Sequence, residues 1–502
     1  MSRVKRFAAS MATGYLAMAV NIAYTMLSIP LALYYLGKEE FGLWALALQI
    51  SGYLMLLDLG MSTALSRFVA DHKDETEGNN YGSLFLTGTL VFVVQGVLIA
   101  LVGVAFSFFA PHLFAVPPAS MNDFRNVLCI LSIVAGISVM LRSLGSPLWA
   151  YQRLDMINLN AAIGLLLALG LLWFGFISGW GIYAFAFAGI PGLVIGTAMA
   201  VWICQRKGYY PKRGRWGRPR WAMFKTVFAF GKDLLLMNFG SQLVNASQIM
   251  LISQKLGLES AATFAVATKF YTMGQQFVAK ILEGSAPVLT EMFVRGDLRQ
   301  FRKRIWDVIT LTAAMALVGA TCLVLANRSI VSIWTSGAVV WTLAGDVLLG
   351  SLILVTSLSR CFVGIHGMAG NLTPVRALNF MEGLFFVLMA WLLAPQWGIE
   401  GVLVASLLAH VLLTGWLSVV RARGLIGNLM PALGIMLTSL VFLGGSAALA
   451  FGMEQLGTSK PVLIMVSLAG AAVVGSGAWI FLLTADLKRE VVDKIRRIIF
   501  KR

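Results

Sequence analysis

Fourteen long apolar stretches divide this chain of 502 residues, and the basic residues between them alternate from one side to the other. A bilayer core about 30 Å thick is crossed by about 20 apolar residues of helix. Inside hydrocarbon each backbone N–H and C=O has to be satisfied within the chain, so only helices or a closed barrel can cross. The runs here are continuous, not alternating, and rich in Leu and Ala, which predicts helices. Hydrophobic residues make up 59% and charged residues 12%, against about 45–50% and about 25% in a soluble domain. The expectation is an all-α integral membrane protein, one large helical bundle.

The expected spans are 8–35, 41–66, 82–110, 124–149, 157–177, 181–203, 226–254, 260–289, 306–326, 342–368, 373–394, 398–419, 429–451 and 461–484. The apolar run after Arg3, Lys5 and Arg6 continues to Leu36. It exceeds the core of a signal peptide, about 7–15 residues, and is expected to stay as a first span.

Of 39 Lys and Arg residues, 28 lie at the amino terminus, in alternate loops and in the tail from Leu487; the opposite loops hold only Lys38, Lys255, Arg328 and Lys460. Basic loops stay on the cytoplasmic side, so both termini are expected there, in a multi-pass membrane protein. The net charge of +17 is distributed over short loops. It therefore indicates orientation and attraction to anionic lipids, and no nucleic acid.

The longest polar segment, 205–222, holds seven basic residues and separates spans six and seven. Leu36-Gly37-Lys38-Glu39 with Trp44-Ala45-Leu46-Ala47 matches Leu256-Gly257-Leu258-Glu259 with Phe264-Ala265-Val266-Ala267 at a constant offset of 220. Transporters are often built from such repeats. Both halves start on the same side, so this one is parallel. The expected organisation is a six-helix lobe over 1–204, a basic linker over 205–225, a second six-helix lobe over 226–420, an appended helix pair over 421–486 and a basic tail over 487–502. The tail is expected to lie along the inner surface.

A charge at a helix centre in the membrane costs about 2.5–3.5 kcal/mol on insertion scales, so the few present point to function. In span eight, Lys269, Met273, Gln276, Lys280 and Glu283 are spaced 4, 3, 4 and 3 and fall on a stripe about 80° wide. The stripe is expected to face a wet cavity, with Lys280–Glu283 paired and Lys269 the freer cation. Span seven carries Asn238, Gln242 and Asn245, which suit a hydroxyl-rich substrate or hydrogen bonds between helices. Asp58 lies within span two and Arg67 ends it; Arg142 and Arg360 lie in the inner halves of spans four and ten. Arginine suits bidentate phosphate contacts, and each also fits a structural ion pair. Arg142 precedes Gly145-Ser146-Pro147, read as a helix break; Lys232-Asp233 reads as a local pair and Gly192-x-x-x-Gly196 as a packing motif.

The four cysteines and four histidines show no metal-ligand spacing, so neither a metal nor a cofactor is expected. There is no GxxxxGK[ST] run, which excludes P-loop nucleotide hydrolysis, and no TVGYG filter.

The run Asn21…Ser28-Ile29-Pro30-Leu31…Tyr35-Leu36-Gly37-Lys38-Glu39-Glu40-Phe41-Gly42-Leu43-Trp44, with Leu56-Leu57-Asp58-Leu59-Gly60-Met61-Ser62…Arg67-Phe68, resembles the opening of bacterial polysaccharide transporters. These are the O-antigen-type oligosaccharide flippases, in the superfamily that also holds multidrug-extrusion proteins and lipid II flippases. The resemblance implies a transporter, not an enzyme. It would carry an undecaprenyl-diphosphate-linked oligosaccharide across the inner membrane by alternating access and work beside polysaccharide polymerase or export machinery. Excess cations suit a diphosphate, and amide stripes suit sugars. A cation-coupled multidrug extruder using Asp58 or Glu283 and a lipid II-type flippase are the alternatives. Span one has no charge after Arg6, unlike the arginine-rich first span of lipid II flippases. A membrane glycan polymerase or ligase ranks last, because the loop Pro111–Asp123 has one His and no Lys or Arg.

Overall fold

The structure is a computed structural model that describes residues 3–72, 79–114, 116–369, 373–456, 460–481 and 488–489. The expected surface tail beyond Arg489 and the side chains of Lys232, Asp233 and Asn238 lie outside the described residues. Among the described residues there is no strand, and the helices are α1 Arg3–Leu54, α2 Met61–His72, α3 Asn80–Leu113, α4 Met121–Ala150, α5 Leu154–Ile177, α6 Tyr183–Lys207, α7 Trp221–Asn245, α8 Ser247–Leu256, α9 Leu258–Ala267, α10 Lys269–Val294, α11 Leu298–Trp334, α12 Leu343–Met368, α13 Thr373–Ala409, α14 Trp416–Ile426, α15 Met430–Gln455 and α16 Lys460–Phe481.

Nine helical stretches among the described residues are long and apolar enough to cross a membrane, and two of them, Ser10–Asp58 and Val375–Ile426, run 49 and 52 residues. A straight helix of that length would be about 75 Å long, more than twice the hydrocarbon thickness. Each folds back on itself, at Gly37 and at Gly398, and so supplies two crossings. The interrupted pairs α7–α8 and α9–α10 supply one each, and α16 supplies the last. The architecture is thus an all-α integral membrane fold of about fourteen crossings, six plus six plus an appended pair.

The repeat is visible in the backbone. Gly37 and Gly257, the matched glycines, both adopt left-handed φ, 74° and 88°. A second match joins them: Trp180-Gly181-Ile182 turns the chain between α5 and α6, and Trp397-Gly398-Ile399 turns it within α13. Gly181 and Gly398 take φ of 53° and 62°, a region that costs a side-chain-bearing residue about 1–2 kcal/mol.

The chain forms two compact units: residues 1–242 with 257–262, and residues 243–256 with 263–502. In the first, Leu54, Leu65, Phe92, Ile99 and Val139 form the core, and α3 lies against α4. A Cβ on Gly136 would stand 2.5 Å from the Gly96 carbonyl oxygen, and one on Gly96 would stand 2.4 Å from the Gly136 oxygen. Helices that cannot use water to drive association depend on such close contact. Gly136→Leu is therefore expected to destabilise the protein by about 1–3 kcal/mol. A thermal melt of the detergent-solubilised variant matching the unsubstituted protein would refute this. The Gly192-x-x-x-Gly196 motif packs as expected, with Gly192 against Gly164 and Gly196 against Asn160.

The second unit is built around α11, which packs on α12, α15 and α16. Its core holds Phe301, Ile305, Ile309, Phe362 and Ile365. On α15, Leu437 and Val441 are 65% and 73% exposed, an apolar outward face of the kind that lipid covers.

The expected break at Gly145-Ser146-Pro147 does not occur: α4 continues through Pro147 to Ala150. Proline removes the N–H that would bond the Ser143 carbonyl, and the Ser146 hydroxyl donates to that same oxygen at 2.8 Å. The basic segment after α6 is strapped to the first unit. Tyr81 donates to the Tyr209 carbonyl and Tyr210 to the Leu144 carbonyl, both at 2.7 Å. Tyr209 stacks on Tyr151, with ring centroids 4.0 Å apart, and the backbone N–H of Arg218 and of Arg220 donates to Ser83 and Thr87. Burial pushes the Tyr210 phenol well above its ordinary pKa, so it remains a donor.

Candidate functional site

Span eight is interrupted at Thr268, and α10 begins at Lys269. Nothing in the sequence marks this break, since neither Gly nor Pro stands there. Lys269 is half-buried and makes no hydrogen bond or ion pair among the described residues. Met273 is half-buried and Gln276 exposed. Lys280 Nζ donates to Glu283 Oε2 at 2.7 Å, and both side chains are more than half exposed. The stripe thus carries one closed pair and, a few turns along, one cation with no counter-charge among the described residues.

Span seven is interrupted at Ala246, where α7 gives way to α8. The structure divides its polar stripe. In the first unit Gln242 donates through Nε2 to the Gly52 carbonyl at 3.4 Å, and its main-chain carbonyl accepts from the Tyr53 hydroxyl at 3.2 Å. Asn245 is exposed and belongs to the second unit.

Arg360, on α12, is exposed and makes no hydrogen bond or ion pair among the described residues. It borders a small cavity with Gln275, Thr356 and Cys361. Gln275 Nε2 donates to both Tyr271 and Thr356. Tyr271 and Gln275 lie on α10 beside the Lys269–Glu283 stripe, and Thr356 lies on α12.

In the first unit the structure brings Asp58 and Arg142 together. Span two breaks there: a short 3-10 turn, Met55–Asp58, ends in Leu59 with left-handed φ. The freed Asp58 carbonyl accepts from Gln95 at 2.9 Å. Arg142 Nη1 lies 3.6 Å from Asp58 Oδ1 and donates to Ser62 Oγ at 3.1 Å. Ser62 in turn donates to Asp58 at 2.6 Å. Arg67 is exposed on α2.

One polar pair went unread in the sequence. Glu382 on α13 is 4% exposed, and its Oε1 lies 3.1 Å from His410 Nε2. His410 opens a π-helical stretch, His410–Gly415, of a kind that often marks a functional position. Its Nδ1 faces the Ser406 carbonyl at 2.9 Å. Asp346, fully buried, is held likewise by Asn327 at 2.7 Å and the Arg328 N–H at 3.2 Å. A tally of span carboxylates and histidines, not of cations alone, would have selected both. No group of three or more His, Cys, Asp or Glu able to hold a metal occurs among the described residues.

Comparison with known proteins gives three findings. The family described as "Polysaccharide biosynthesis protein" matches residues 11–293. The uncharacterized membrane protein EpsK of Bacillus subtilis (strain 168) is 22% identical over 451 residues, 85% of this chain and 87% of that protein. Among solved structures, the lipid II flippase MurJ in an inward closed conformation superposes with a TM-score of 0.69 at 13% identity, over 95% of this chain and 98% of that one. An inward-facing multidrug resistance MATE transporter of the MOP superfamily gives 0.65 at 14% identity, over 80% and 98%. With more than half of its length matched, and with the fold of MOP superfamily transporters, the chain belongs to the polysaccharide biosynthesis protein family.

Proposed function

We propose that this chain is a flippase that carries an undecaprenyl-diphosphate-linked oligosaccharide across the bacterial inner membrane, for cell-surface polysaccharide synthesis. Lobes 1–204 and 226–420 alternate access, with 421–486 appended and 487–502 a basic tail on the cytoplasmic leaflet. The observation that carries the reading is Lys269, a half-buried cation at the interruption of a span, with no counter-charge among the described residues. Such a charge is costly in a membrane unless an anion visits it, and a diphosphate is such an anion. The family match to polysaccharide biosynthesis and the likeness to a lipid II flippase support the same class of cargo. Because Tyr209, Tyr210, Arg218 and Arg220 are bonded to the first unit, the basic segment up to Arg220 moves with the first lobe.

Coupled extrusion is less favoured. Its two candidate carboxylates are already paired, Asp58 with Arg142 and Glu283 with Lys280. A lipid II-type cargo is less favoured too, since α1 has no charge between Arg6 and Lys38.

The deciding experiment is reconstitution into vesicles loaded with fluorescent lipid-linked oligosaccharide. Protein-dependent movement between leaflets, absent with cationic drugs as cargo, is the expected result; drug movement without glycolipid movement overturns the reading. Orientation has its own check. Arg215 is exposed on the basic segment, so Arg215→Cys should resist a membrane-impermeant thiol reagent in intact cells and react in inverted vesicles. The reverse pattern would place the termini outside.

A further inference from the structure

We infer that a cavity inside the first unit is a subsite for the uncharged sugar part of the cargo, separate from the cations that meet the diphosphate. This rests on the flippase reading and adds where the glycan is held.

The cavity measures about 300 Å³ and is lined by Ser62 and Ser66 of α2, Ser138, Arg142 and Trp149 of α4, and Thr197 of α6. That volume is at the lower end of ligand pockets, about 300–1,000 Å³, and equals the liquid volume of roughly ten waters.

The wall is electrically balanced. Arg142 is its one basic side chain, and its guanidinium is compensated by Asp58 at 3.6 Å. A phosphate entering here would meet no excess positive charge, because the guanidinium is already compensated.

The hydrogen-bonding capacity of the wall is mixed. Ser62 is already engaged, donating to Asp58 and accepting from Arg142, whereas Ser66 donates to the Ser62 carbonyl at 2.9 Å and keeps its hydroxyl oxygen as an acceptor. Arg142 offers donors, since a guanidinium carries five N–H groups and among the described residues it contacts only Ser62, Asp58 and Met55. Ser138 and Thr197 make no hydrogen bond among the described residues and can do either. A fully ionised phosphate or carboxylate only accepts and cannot donate to the Ser66 oxygen. A hydroxyl both donates and accepts, and a sugar ring carries several at fixed spacing. Trp149, 55% exposed, supplies an apolar ring for the C–H face of a sugar.

The test compares binding of two lipids to the full-length protein in detergent, by native mass spectrometry or thermophoresis. One is undecaprenyl diphosphate; the other carries the oligosaccharide of the producing organism. The unsubstituted protein should bind the glycan-bearing lipid at least tenfold more tightly. Ser138→Leu and Thr197→Leu, which fill the cavity, should abolish that difference and leave the affinity for bare undecaprenyl diphosphate unchanged. Ser138→Ala with Thr197→Ala, which removes hydroxyls without adding bulk, should reduce the difference at least threefold and guards against misfolding by the larger residues.

If the difference persists in all these variants, or if both lipids lose affinity equally, the subsite is overturned and the flippase reading stands. If the filled variants lose binding of inorganic pyrophosphate, the cavity is an anion site and the inference is wrong. If the unsubstituted protein binds neither lipid, the flippase reading falls and takes the subsite with it.

Discussion

His410→Leu should destabilise this protein by about 3–5 kcal/mol, the usual effect of removing one member of a buried ion pair. The reasoning follows from proton positions. The Ser406 carbonyl can only accept, so the His410 Nδ1 facing it carries a hydrogen. The contact between Nε2 and Glu382 Oε1 at 3.1 Å then shares one further proton. Whether that proton sits on nitrogen or oxygen, the pair as a whole is neutral, which is the form a low-dielectric interior tolerates. Removing the imidazole leaves a carboxylate that is 4% exposed, with the Thr414 hydroxyl as its remaining partner. The group must stay charged without compensation or take up a proton. Replacing both residues, Glu382→Leu with His410→Leu, removes the charge together with its partner and should recover most of the loss, because apolar replacements of buried pairs are often neutral. Melting of the detergent-solubilised proteins decides this. Equal melting temperatures for the single and double variants would show that the pair is not the reason these residues are there.

The sequence revealed the membrane class and the crossings of this fold far better than it revealed the site. Twenty-residue apolar runs are a physical requirement of the bilayer, and among the described residues the expected spans fall on helices, with breaks at Leu59-Gly60, Ala246 and Thr268. The repeat was legible through Gly37 and Gly257 because a left-handed turn favours glycine. The interruptions at Ala246 and Thr268 were not legible, because no helix-breaking residue stands at either position. The helix of α4 survives Pro147 through a serine hydroxyl whose direction no sequence pattern announces. In the site, the Lys280–Glu283 pair follows from helical spacing alone and is present. Asp58 with Arg142 and Glu382 with His410 join residues on different helices, and such pairs become visible only when the helices are packed.

Lys269→Ala should lower translocation of lipid-linked oligosaccharide roughly tenfold to a hundredfold while leaving the protein level nearly unchanged. Of the cations proposed to meet the diphosphate, Arg67 and Arg360 lie toward the cytoplasmic ends of their spans and Lys269 and Lys280 lie deeper, whereas Arg142, compensated by Asp58, lines the proposed sugar subsite. Lys269 stands about ten residues, or about 15 Å, from the outer end of its span. The structure adjusts how much each rung should matter. Arg142 is compensated by Asp58, and Lys280 by Glu283, whereas Lys269 and Arg360 have no ion-pair partner among the described residues. A hydrogen bond to a charged group contributes about 1.5–3 kcal/mol, and each 1.4 kcal/mol is a factor of about ten in rate. The full effect is therefore expected at Lys269. Lys280→Ala opens an exposed pair worth at most about 1 kcal/mol and should reduce the rate a few-fold. Lys269→Arg keeps the charge and should retain part of the activity. The measurement is initial translocation rate in vesicles at matched protein content. If Lys269→Ala and Lys280→Ala, singly and together, move the glycolipid at the normal rate, the lysines are structural and the cationic path lies elsewhere.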